Sequence, residues 1–117
     1  MLESATSLDV LTAGLHGLGH PLRVRALVLL EAEQTPKDLA ATLGVPLGLV
    51  SYHVRALRDC GLLIESRTEL RRGALAHYHR RTELADTLLE ALHGLLELPR
   101  TSGPRRRADL ADWALAA

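Results

Sequence analysis

The sequence predicts a mainly α-helical domain with one small β-hairpin, and three observations carry that expectation. Two short amphipathic segments, Thr35 to Leu43 and Pro46 to Cys60, meet at a glycine-containing turn. A hard stop at Gly61 is followed by two extended runs around a basic, glycine-containing tip. Leucine-rich helical segments flank this unit on both sides. At 117 residues there is room for one domain with a modest core, which a dimer interface would supplement.

Leu8, Leu11, Leu15 and Leu18 share one helical face after Ser7, a candidate cap, and Pro21 restarts the chain into a second apolar helix over Leu22 to Ala32. Thr35 offers the hydroxyl of an N-cap, and Pro36 fits the first helical position, where no N–H is needed. Leu39, Ala40 and Leu43 then recur on one face, and Gly44 permits the turn. Pro46 disfavours helix at Val45 but suits the start of the next helix, predicted over 46–60 with Val50, Val54 and Leu57 facing inward. Gly61 closes it. The runs Leu62 to Glu69 and Leu75 to Arg80, separated by residues 70–74, predict a hairpin over 62–80. Thr82 caps a helix over Glu83 to Leu98 whose leucines cover more of the circumference than one core-facing stripe needs. Residues 99–117 have the composition of a linker and a short helical tail, so the chain divides into 1–98 and 99–117. In that tail Arg105, Arg106 and Arg107 read as solvated charge, and Trp113 as packing.

Two helices joined by a tight turn and followed by a hairpin form a helix-turn-helix with a wing, an arrangement that places the second helix in the major groove of DNA. The outward positions of the 46–60 helix are Leu47, Gly48, Ser51, Tyr52, Arg55 and Arg58. Arg55 has the fork geometry for guanine, Ser51 and Tyr52 can bond bases or phosphates, and Leu47 offers apolar contact to a thymine methyl group. Arg71 and Arg72 at the hairpin tip, with Arg67 on its first strand, would meet phosphates or an adjacent minor groove.

The segments LGHPLRVRAL (Leu18 to Leu27), DLAATLG, VSYHVRALRDCGLL and RRGALAHYHR together resemble the winged-helix transcriptional repressors of the arsenical-repressor (ArsR) type, over roughly residues 15 to 82. The resemblance implies a dimeric, mostly helical, DNA-binding regulator, often switched by a metal or another small effector. His53 matches a histidine common at that place in the family. One departure stands out. Where many such repressors carry small polar residues at the start of the recognition helix, this chain has Pro46, Leu47, Gly48 and Leu49, so base reading is expected to fall on Ser51, Tyr52 and Arg55.

Charge is distributed accordingly. The formal net charge is zero, yet residues 36–81 hold eight basic side chains against four acidic ones, while each flank carries an excess of acids. The positive excess coincides with the predicted reading helix and wing. The leucine-rich flanks predict a closed twofold homodimer pairing the first and last helices of two copies. No apolar run reaches membrane-spanning length and Met1 to Val10 lacks the form of a secretion signal, so a cytoplasmic protein with no membrane partner is expected.

Effector chemistry has weaker support. One cysteine, Cys60, makes a poor soft-metal site and reads as a small core residue. Asp86, Glu90, His93 and Glu97 recur along the last helix at spacings that could place them in one stripe and bind zinc across a dimer seam, but the same pattern is the polar face of an amphipathic helix, which is the favoured reading. His77 and His79 alternate on a strand without a third ligand, and Pro21 separates His16 from His20 by a bend. No cofactor is expected. No nucleophile with a partner, phosphate-binding glycine loop or spaced acid pair suggests an enzyme. The competing expectation is a winged-helix adaptor that recruits another protein through its leucine-rich helices and does not bind DNA.

Overall fold

The structure, a computed structural model, describes residues 2–97, with side chains from Ser7 onward. The predicted linker and tail, including Trp113 and Arg105 to Arg107, lie outside the described residues. Five helices and one hairpin follow in the order α1 (Leu2–Gly17), α2 (Pro21–Leu29), α3 (Pro36–Leu43), α4 (Leu47–Asp59), β1 (Leu63–Arg71), β2 (Ala74–Arg81) and α5 (Glu83–Leu96). Leu27, Leu30, Leu39, Leu57, Leu62 and Leu63 are fully buried at the centre of one continuous core to which α2, α3, α4 and α5 all contribute.

The helix-turn-helix forms for the reasons its sequence indicates. Thr35 and Asp38 make a reciprocal capping box, in which the Asp38 N–H donates to the Thr35 hydroxyl at 3.1 Å and the Thr35 N–H to the Asp38 carboxylate at 3.2 Å. Gly44 ends α3 in the left-handed region (φ 68°). α4 then begins one residue later than predicted, at Leu47, with Pro46 extended in the cap position. At the far end of α4, Gly61 takes φ 80°. Its N–H donates to the Arg58 carbonyl (3.0 Å) and the Leu62 N–H to the Leu57 carbonyl (2.9 Å), a Schellman turn that delivers Leu62 straight into the core.

Three further boundaries differ from expectation. α1 starts at Leu2, so Ser7 lies inside it rather than capping it; nothing in Leu2–Thr6 is a proline or glycine that would stop the helix. α2 ends at Leu29, not Ala32, because its last carbonyls are taken by side chains from elsewhere: Gln34 Nε2 donates to Leu29 O (2.5 Å) and Arg81 Nη1 to Leu27 O (3.0 Å). The chain then turns extended, and Gln34 and His79 exchange backbone hydrogen bonds at 3.2 and 2.9 Å, a short third rung beside the hairpin. α5 ends at Leu96, with Glu97 as its C-cap.

The strands of the hairpin are longer and its tip tighter than predicted. Arg71 pairs with Ala74, leaving only Arg72 and Gly73 in the turn. Both have positive φ (52° and 80°), the requirement of a type I′ turn whose twist matches that of the strands. A bulge between Glu65 and Arg67 shifts the register once.

The stripe on α1 is turned the other way from a core helix. Leu8, Leu11 and Leu15 are exposed, Leu8 at 63% and Leu15 at 53%, whereas Gly14 and Gly17 are buried. A Cβ on Gly14 would lie 2.9 Å from Leu88 Cδ1, and one on Gly17 3.0 Å from Leu62 Cδ1. Glycine therefore brings α1 against α5 and the α4–β1 joint at backbone contact distance, with the leucines left on the opposite side.

Candidate nucleic-acid interface

The two faces of α4 separate cleanly. Val50, Val54 and Leu57 are buried, while Leu47, Gly48, Tyr52, Arg55 and Arg58 are exposed and Ser51 is half-buried. Tyr52 presents 62% of its surface and Leu47 47%. Leu49, absent from the predicted outward set, is also exposed at 43%, so the N-terminal turn of α4 carries two apolar side chains. Counting around the helix from Val50 and Leu57 would have found it.

His53 explains how α4 is held. Its buried ring accepts from Arg23 Nε at 3.1 Å and lies 4.5 Å from the His20 ring, while His20 Nδ1 caps α2 by accepting the Leu22 N–H at 3.1 Å. A packed, hydrogen-bonded His53 was expected, but the capping role of His20 was not visible in its spacing. Burial, then the nearby His20 and Arg23, lower the His53 pKa below 6.5. Burial lowers that of His79 as well, against the opposing bond to the His77 carbonyl. The folded state therefore refuses a proton that the unfolded chain accepts. This stability is fully present above the unfolded value of 6.5 and is lost as pH falls through the depressed folded values. The urea midpoint is expected to drop between about pH 7.5 and about pH 5.5, and His53→Gln to reduce that drop. A midpoint that stays level over this range would contradict the assignment.

The wing arginines are not equivalent. Arg67 lies 3.8 Å over the Tyr78 ring, with Nε 3.3 Å from Glu33, and also pairs with Glu69. Arg71 Nη1 is 3.3 Å from the Asp38 carboxylate. Arg72, in the turn itself, has no ion pair among the described residues. The predicted tip cluster of Arg71 and Arg72 is thus one paired and one unpaired guanidinium. Arg55 and Arg58 on α4 likewise have no ion pair among the described residues.

The polar residues of the last helix make separate contacts. Asp86 pairs with Arg81 (2.8 Å) and His93 with Glu97 (3.3 Å), and Glu90 is exposed. Among the described residues no three His, Cys, Asp or Glu side chains come together as a metal site within one chain. His77 pairs with Glu65 at 2.5 Å, and His79 is buried at the base of the wing. Cys60 is half-buried beside Gly17. No helix of the described residues is long and apolar enough to cross a membrane.

A capped two-helix unit, an outward-facing second helix and a basic hairpin packed beside it define a winged helix-turn-helix regulator. Residues 20–65 match the family model described as bacterial regulatory protein, arsR family. No curated protein matches the chain in sequence. Solved structures of the same fold include the homodimeric winged helix-turn-helix DNA-binding domain of a possible ArsR-family regulator from Mycobacterium bovis, 22% identical, covering 79% of this chain and 82% of that one with a TM-score of 0.63. NolR from Sinorhizobium fredii is 21% identical over 80% and 90%, TM-score 0.62. The transcriptional repressor BigR from Xylella fastidiosa is 25% identical over 86% and 96%, TM-score 0.53. Residues 20–65 thus resemble the arsR family of bacterial regulatory proteins, and the chain has the winged helix-turn-helix fold of such DNA-binding regulators.

Proposed function

We propose that the chain acts as a homodimer on duplex DNA, with α4 in the major groove and the β1–β2 wing against the backbone or minor groove. The observation that carries this is the two-faced α4: one side locked into the core by Val50, His53, Val54 and Leu57, the other presenting Ser51, Tyr52, Arg55 and Arg58 to solvent. Residues 1–98 form the binding and dimerising unit. Repression, the activity stated for the BigR relative, is the expected sign of regulation, and a cytoplasmic location follows from the DNA target.

Base choice rests on few groups. Arg55 reads guanine, Ser51 and Tyr52 contribute hydrogen bonds, and Leu47 with Gly48 makes a close apolar approach suited to a thymine methyl. Selection of bound sites from a random DNA pool at stated salt is the primary test, and it should return a palindrome with half-sites about one helical turn apart. Arg55→Ala should cost about 1–3 kcal/mol of binding and relax preference at one base pair per half-site. A pool that yields no enriched sequence, with no salt-dependent binding to any fragment, would favour the adaptor role instead.

A further inference from the structure

We propose that Asp38 is a positioning residue for the wing: it holds Arg71 in an ion pair that a DNA phosphate has to displace, so Arg72 rather than Arg71 supplies the standing positive charge of the tip. The inference rests on the DNA-binding function proposed above.

The strap between α2 and α3 and the first turn of α3 grip the hairpin at successive points. Glu33 takes the Ser66 hydroxyl and Arg67 Nε, Gln34 pairs through its backbone with His79, and Asp38 takes Arg71. Asp38 is not a loose surface acid. Its carboxylate also accepts the Thr35 N–H at 3.2 Å as half of the capping box, and Thr35 is buried. Burial pushes the Asp38 carboxyl up, yet its Thr35 hydrogen bonds and the Arg71 charge together hold it below 3.8. One carboxylate thus serves both the start of the helix-turn-helix and the far end of the wing. An Asp38–Arg71 pair at 3.3 Å is neutral when viewed from a phosphate. If Arg71 swings to that phosphate, Asp38 stays behind as an acid well within a Debye length of the backbone. Net ion release from Arg71 is therefore small, whereas Arg72 has no acid among the described residues to give up.

The test uses the full chain and a mixed-sequence duplex of about 30 base pairs, long enough for two half-sites one turn apart. Binding is followed by fluorescence anisotropy across a salt series for the unmodified protein, Arg71→Ala, Arg72→Ala, Asp38→Asn and Asp38→Asn with Arg71→Ala. Asparagine keeps an oxygen that can accept the Thr35 N–H, so the cap survives, and circular dichroism melts check that each variant folds. Arg72→Ala should flatten the log K against log salt slope by about 0.9 per wing, and Arg71→Ala by less than half as much. Asp38→Asn should tighten binding several-fold and steepen the slope by about 0.9 per wing, only while Arg71 is present. Equal steepening by Asp38→Asn without Arg71 would mean generic loss of an acid and would overturn the proposal. So would an Arg71→Ala effect as large as that of Arg72→Ala. Absence of any salt-dependent binding by the unmodified chain is a different result, which removes the DNA-binding function and this inference with it.

Discussion

Leu57→Ala is expected to cost about 2–5 kcal/mol of folding free energy, enough to leave a domain of this size largely unfolded or only marginally folded. Leu57 is fully buried and lies at the meeting point of several elements. Its carbonyl also receives the Leu62 N–H at 2.9 Å, so the cavity would open beside the turn that launches the wing. The cost combines lost transfer free energy with an unfilled hole, because the Schellman turn and the α2–α4 packing restrict collapse. Urea denaturation followed by circular dichroism measures it. A loss below about 1 kcal/mol, within the range of ordinary surface substitutions, would show that the core is not organised around this side chain.

The largest effect on DNA binding is expected from the opposite kind of residue. Leu11 and Leu15 lie on the exposed face of α1, away from Gly14 and Gly17, so replacing both by glutamate leaves the intrachain packing intact. If that face joins two copies, four new carboxylates meet at the seam. The dimer should dissociate, and DNA affinity should fall by roughly 10²–10⁴ as two half-sites cease to be held together. Light scattering and anisotropy on the same samples test both parts. An unmodified chain that is already monomeric at micromolar concentration removes the homodimer from the account.

Much of this was legible from local signals. Thr35–Pro36, Gly44, Gly61 and Thr82 mark helix ends through hydroxyl caps and left-handed backbone, interactions confined to a few neighbouring residues. The buried stripe Val50, Val54 and Leu57 follows from helical spacing, and the exposed reading face is its complement. What escaped depends on residues distant in sequence. The α2 terminus is fixed by Gln34 and by Arg81 arriving from β2. Arg71 was placed correctly at the tip region, but its pairing with Asp38 spans the whole of α4 and could not be read from a basic hairpin alone. The orientation of α1 was hidden for a related reason: its leucine periodicity resembles a core face, and only the neighbours of Gly14 and Gly17 show which side meets the body.

Those two glycines have a geometric consequence for the assembled regulator. Gly17 rests on Cys60 and Leu62, with positions for a Cβ only 3.1 and 3.0 Å from their atoms, and those residues form the knuckle from which α4 and the wing diverge. In a dimer built on α1, each reading helix is therefore mounted on the shared seam through a bearing with almost no clearance. A shift of α1 toward this joint would have to be taken up by Cys60 and Leu62, at the end of the very helix that carries the reading face.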